Sequence, residues 1–149
     1  MLAQDAVRLV GTWRLVSFVN VDSTGTERPY WDEHAIGVIS YSADGRVAVQ
    51  LYDARRSGLR TNWPTVNRDT ARTAFVGVAT YYGMFTVDTV SHTVTHHIQG
   101  AMAPDWVGTD LVRTYRFLPS DRLELRVADR RTRIVAASGA KLVWERIAR

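Results

Sequence analysis

Apolar and polar residues alternate through most of the chain in short runs divided by turn-forming clusters, and this period of two predicts strands. The first run, Leu9 to Val21, is rich in β-branched and aromatic residues and ends at Asp22-Ser-Thr-Gly25. Ile36 to Ser42 and Arg46 to Tyr52 follow, joined at Ala43-Asp44-Gly45, whose Asp-Gly pair is a hairpin signal. The alternation resumes at Thr80 to Asp88, Thr93 to Met102, Leu111 to Phe117, Arg122 to Ala128 and Ala140 to Ile147, with turns at Pro119-Ser-Asp121 and Ser138-Gly139. Glu27 to Ala35 is a polar loop around Pro29, and Asp53 to Pro64 is irregular. Asn67 to Val76 carries the one helical pattern, with a cap at Asn67 or Thr65, so a short helical insertion is expected over Thr65 to Val76.

Eight strands with short links make an all-β domain, either an antiparallel up-and-down barrel or a two-sheet sandwich. An eight-stranded barrel has room for one small ligand, whereas a sandwich fills its middle with side chains. With 149 residues, 46% hydrophobic, and no repeat or linker, the chain is expected to be one domain, 1–149. The absence of cysteine excludes a disulfide framework, a zinc ribbon and a thiol nucleophile. Met1 to Arg8 lacks the basic and apolar regions of a signal peptide, and no apolar run approaches the roughly 18 residues of a membrane span. A soluble cytoplasmic protein is expected.

Charge changes this picture little. The net charge is +4, and all but Lys141 of the 19 basic residues are arginine, a skew that reads as the coding bias of a GC-rich, bacterial genome. The densest basic stretch holds Arg122, Arg126, Arg130, Arg131 and Arg133. Leu123, Leu125 and Val127 alternate with its charges, no aromatic platform is interleaved, and Asp121, Glu124 and Asp129 dilute the field. That is the pattern of a solvated strand face, and no nucleic-acid partner is expected.

The two ends of the chain carry a resemblance. Val10-Gly11-Thr12-Trp13-Arg14-Leu15-Val16 resembles the Gly-x-Trp opening strand of the calycin superfamily, and Trp144-Glu145-Arg146 stands in the last expected strand. The resemblance implies that Trp13 closes the barrel base with Arg146 over its ring, a cation–π contact. With Ile39-Ser-Tyr-Ser-Ala-Asp-Gly-Arg-Val-Ala-Val49, Tyr82-Gly83, Val87-Asp88, Val94-Thr-His-His-Ile-Gln-Gly100 and Trp106-Val-Gly-Thr-Asp110, the chain from Leu9 to Ile147 is similar to the lipocalin-like domain family. The fold this implies is an eight-stranded antiparallel up-and-down barrel with one short helical insertion. Some barrels of this general kind serve as cyclases or isomerases in natural-product pathways, and the resemblance carries over no catalytic residue set. The Gly-x-Trp-x-Gly-x-Gly pattern of haem-binding nitrobindin-like barrels is absent.

Strand alternation assigns faces to the candidate chemistry. On Val94 to Gln99 the apolar face is Val94, His96 and Ile98, which places His96 inside and His97 outside. The same logic turns Tyr81, Phe85 and Val87 inward, and Arg113, Tyr115 and Phe117 on a neighbouring strand. Tyr81, His96, Arg113 and Tyr115 would then converge on one cavity as catalytic candidates. The alternative is that His96 is a hydrogen-bonded wall residue and Arg113 faces water. If the cluster forms, Arg113 supplies a bidentate fork for a carboxylate or carbonyl, His96 moves a proton near pH 6.5, and the tyrosines polarise an enolate or phenol.

Among the loop aromatics, Trp31 and Trp106, with Phe85 and Phe117 on the strands, are the candidate ligand-binding residues; Trp63, next to Pro64 and the helix, is expected to pack its loop onto the barrel shoulder or to line a dimer contact. No metal is expected, since His96 and His97 point to opposite faces and His34 and His92 lie in loops. No cofactor is expected, there being no Gly-rich phosphate loop. The first expectation is a protein that encloses a small, largely apolar organic molecule with a polar handle. The second is a cyclase or isomerase of bacterial secondary metabolism using the same cavity. The third is a structural homodimeric module with a filled barrel.

Overall fold

A computed structural model describes residues 4–127 and 139–149. Ala128, Ser138 and the basic residues Arg130, Arg131 and Arg133 therefore lie outside the described residues.

Among the described residues, nine strands form one antiparallel sheet that closes on itself. They are β1 (Gly11–Val21), β2 (Glu27–Pro29), β3 (Ala35–Tyr41), β4 (Arg46–Asp53), β5 (Val78–Asp88), β6 (Thr93–Ala101), β7 (Asp110–Leu118), β8 (Arg122–Val127) and β9 (Ala140–Ala148). From β3 to β9 each strand pairs with the next in sequence, and β1 joins both β3 and β9, which shuts an eight-stranded barrel. The three-residue β2 pairs only with the far end of β1 and stands outside the closed ring. The alternation of the sequence is the reason: one apolar face along every strand must be buried, and closure buries all of them without leaving an unpaired edge.

Register slips fine-tune which side chains face in. Between Leu15 and Ser17, β1 shifts register against β9, so that both Leu15 and Phe18 are buried although they are three residues apart. β1 also shifts against β9 between Thr12 and Trp13, and a third shift, between Tyr82 and Gly83, lies on β5 against β6. At Asp44-Gly45 the expected hairpin forms, with Gly45 at φ +88° and the Ser42 amide donating to the Arg46 carbonyl at 2.9 Å.

The two ends of the barrel differ. At the base, the six-residue helix α1 (Gln4–Leu9) lies across the opening with Leu9 fully buried. Trp13 Nε1 donates to the Leu9 carbonyl at 2.8 Å, and the Arg146 guanidinium covers the Trp13 ring at 3.9 Å. The same guanidinium donates to the carbonyls of Val10 and Arg8, at 2.7 Å each, and Nε donates to Asp121 at 3.0 Å. The closure that the resemblance implied is present.

At the mouth stand the longer connections. One is a 3-10 turn at Tyr30–Glu33, within a stretch expected to be plain loop. Another carries the helix α2 (Arg68–Val76), capped by Asn67, whose side chain accepts from the Thr70 amide at 3.0 Å. Of the two expected caps Asn67 is the one used and the helix ends at Val76 as expected, while Trp63–Thr65 forms a separate 3-10 turn before it. Trp63 itself is exposed, so it does not pack its loop onto the barrel shoulder. On the outer face of β7 and β8, Glu124 accepts from Arg116 at 3.1 Å and from Arg126 at 2.9 Å, so charges within this basic stretch are partly paired. Among the described residues, no helix is long and apolar enough to cross a membrane.

Candidate functional site

The buried polar side chains converge inside the barrel. His96 on β6 is 1% exposed and Arg113 on β7 is 7% exposed, while His97 points outward. The interior assignment of both follows from strand alternation, and Arg113 does not face water. Tyr81, on β5, brings its hydroxyl to 2.9 Å from His96 Nδ1. The other ring nitrogen, Nε2, lies 2.8 Å from the hydroxyl of Tyr41, the last residue of β3. Tyr41 is the partner that the sequence did not single out. It is nearly fully buried, and its ring packs edge-on against Phe85 with centroids 4.9 Å apart.

His96 therefore sits between two phenols, and its electrostatics follow from burial. Loss of solvation, helped by the charges of Arg113 and His97, pushes its pKa from 6.5 down to about 3. The imidazole is neutral at physiological pH, and both nitrogens are engaged. This corrects the expectation of a histidine moving protons near pH 6.5. Burial also raises both tyrosine hydroxyls, Tyr41 strongly; at Tyr81 the adjacent Arg113 charge works in the opposite direction.

Tyr115 does not join this cluster. It lies two residues beyond Arg113 on the same face of β7, about 7 Å closer to the base. There its hydroxyl donates to Asp5 Oδ2 of α1 at 2.7 Å, and burial together with that carboxylate raises its pKa. Phe117 lies further down still, beneath the Arg8 guanidinium, which stands 3.7 Å from the ring centroid. Tyr115 and Phe117 thus tie the N-terminal helix to the base instead of lining the cavity.

The cavity that Tyr81, His96 and Arg113 line has an otherwise mostly apolar wall, including Phe18, Val49 and Leu142, and also Trp144. Its open volume is about 20 Å³, room for little more than one water-sized group. Trp144 matters for another reason: its indole Nε1 is buried with no hydrogen-bond partner among the described residues. Over the wall residues stand the mouth aromatics. Trp106 meets Tyr81 edge-on at 6.2 Å, and Trp31 meets Phe18 edge-on at 6.0 Å, with Tyr30 stacked on Phe18 at 4.3 Å. Both tryptophans thus cap wall residues from the mouth.

Trp31, Asp32 and Glu33 have φ of 53°, 47° and 68°, three successive residues in left-handed backbone. That conformation is costly for residues with a Cβ, so other contacts must hold it. Arg55 supplies one by pairing with Asp32 at 2.9 Å while also binding Asp53. Among the described residues, no three of His, Asp and Glu are grouped as a metal site would require.

A family model described as the lipocalin-like domain matches residues 10–147. No curated protein matches the chain. Among solved structures the chain is similar to a redesigned β-barrel, with 15% identity, 95% of this chain and 94% of that chain covered, and a TM-score of 0.44. The family model covers the strand ring from β1 to all but the last residue of β9, with Trp13 and Arg146 of the base inside it, and on that model the chain belongs to the lipocalin-like domain family.

Proposed function

We propose that the barrel binds a small, largely apolar organic molecule whose polar handle meets Arg113, Tyr81 and the groups around them. One observation carries this reading: the Arg113 guanidinium is 7% exposed inside an apolar-walled cavity, beside the neutral Tyr81 hydroxyl and with no ion pair to a described carboxylate. Burying an uncompensated charge is costly, and a ligand group that accepts from Arg113 would relieve that cost. The aromatic rings of Trp106 and Trp31 over the cavity supply apolar contact at the mouth.

Open space of about 20 Å³ receives the handle but not the body of such a ligand. Binding therefore goes with displacement of the mouth aromatics, and association is slower than for a preformed pocket. A cyclase or isomerase working through proton transfer by His96 has less support, because that imidazole is neutral with both nitrogens occupied. The filled structural module keeps the small cavity volume in its favour.

Titration with a panel of small apolar molecules separates the readings. Tryptophan emission and thermal midpoint report binding, and Arg113→Met is the control. A ligand that raises the midpoint of the parent protein and not of the variant is the expected result. If no member of the panel shifts either signal, and no small molecule co-purifies, the filled module stands.

A further inference from the structure

The chemistry of the handle follows from the protons held in the buried chain. Tyr41, His96 and Tyr81 are joined across two gaps, of 2.8 Å at Nε2 and 2.9 Å at Nδ1. A neutral imidazole carries one N–H and one acceptor nitrogen. Two hydroxyls and one N–H make three protons for two gaps, so one hydroxyl proton must be donated outside the chain. Tyr41 is 2% exposed, and its hydroxyl has no second hydrogen-bond partner among the described residues. A surplus proton there would be a buried donor left unpaired, which is the costly arrangement. Tyr41 therefore donates to Nε2, Nδ1–H donates to Tyr81, and the Tyr81 proton is free for the cavity that Tyr81 lines.

Two more donors line the same cavity. Arg113 has N–H groups and no acceptor, and Trp144 has a buried indole N–H without a partner among the described residues. The imidazole acceptor of His96 is already used by Tyr41. Hydrogen-bonding capacity left over in the cavity is thus donor capacity, and what satisfies it is a group that only accepts.

We infer that the handle is an oxyanion and that the ligand class is a small monocarboxylic acid, bound as its carboxylate by Arg113, Tyr81 and Trp144. Tyr41 and His96 are positioning residues: they touch no ligand, and they hold Tyr81 as a donor. The inference rests on the binding reading and specifies the chemistry of its handle. A carboxylate suits the planar fork of arginine, and each charge-assisted bond is stronger than its neutral counterpart.

The test compares benzoate with benzamide, which has the same shape without the charge, by calorimetry at neutral pH. Benzoate is expected to bind at least about tenfold more tightly, a preference that Arg113→Met removes. Tyr81→Phe and Tyr41→Phe are each expected to weaken benzoate binding about tenfold, although Tyr41 is out of reach of the ligand. The ¹⁵N spectrum of the free parent protein should show His96 as the Nδ1–H tautomer, a readout that needs no ligand and no variant. Equal affinity for benzamide overturns the carboxylate class and leaves the binding reading standing. An Nε2–H tautomer overturns the donor role of Tyr81. Failure of both probes to bind overturns this inference, and the binding reading falls with it only if the wider panel of apolar molecules also fails and no small molecule co-purifies.

Discussion

Arg146 lies over Trp13 at 3.9 Å and, from the same guanidinium, donates to the carbonyls of Val10 and Arg8. One side chain of the last strand thus seals the base, satisfies two main-chain acceptors of the entry segment and ties β9 to β1. Arg146→Met keeps much of the apolar stem and loses the rest. The cation–π contact and a stranded carbonyl together predict a loss of about 2–4 kcal/mol, seen as a lower urea midpoint at unchanged slope. Arg146→Lys should recover less than half of it, since an ammonium cannot reach both carbonyls while covering the ring.

His96 makes a second prediction, through pairing. His96→Leu leaves the hydroxyls of Tyr41 and Tyr81 without their shared partner, at an expected cost of about 2–4 kcal/mol. Once His96 is gone, Tyr41→Phe removes a hydroxyl that is already unpaired and should cost little. A double-mutant cycle over positions 41 and 96, read by urea unfolding, should give a coupling energy of about 1–2 kcal/mol. Additive effects would mean that the two groups do not share a hydrogen bond in solution.

The same residue sets a pH dependence. In the unfolded chain His96 takes up a proton near pH 6.5, whereas in the folded protein it does so only near pH 3. Between these values the unfolded state binds more protons, so this contribution is complete above pH 6.5 and is lost as the pH falls towards 3. From about pH 7.5 to about pH 5 the parent protein should lose about 2 kcal/mol more stability than His96→Gln, a window that lies above most carboxylate titration. Identical slopes for the two proteins would show that the imidazole is not buried neutral.

Glycine gives a prediction by contrast. At Gly83, beside the register shift of β5, an added Cβ would run into the main-chain carbonyl of His97. Neither strand can yield without breaking the ladder, and Gly83→Ala should cost more than about 2 kcal/mol. Gly58 has nothing near its missing Cβ. Gly58→Ala should be neutral or stabilising by up to about 1 kcal/mol, because it restricts only the unfolded chain. Thermal unfolding of the two variants side by side checks both.

Much of this architecture is legible in the sequence, because strand alternation and turn chemistry are local. The eight barrel strands, the Asp44-Gly45 hairpin and the opposite facing of His96 and His97 need no knowledge of neighbours. Trp13 and Arg146 are found through the resemblance at the chain ends. The misses are of two kinds. Helix α1 is six residues long, too short for a 3.6-residue period to show, and its Leu9 reads as the start of a strand. Tyr41 stands 55 residues from His96 in sequence, and their meeting depends on register accumulated across β4 and β5. Alternation turns a side chain inward but does not give its height in the barrel. For that reason Tyr115, on the inward face with Arg113, goes to Asp5 instead of the cavity.

The pairing of β1 with β9 also governs how the chain comes to be folded. Thr12 and Ala148 are sheet partners, so the ring cannot close until every strand between β1 and β9 is available. On a ribosome, β1 would emerge early and wait for its last neighbour, while β8 would offer the other open edge. Contacts of such sequence separation make for slow folding, and a waiting strand edge invites pairing with another chain. The nine residues of β9 thus decide whether nascent molecules end as closed barrels or as aggregates, and defects there should show first as lost soluble yield.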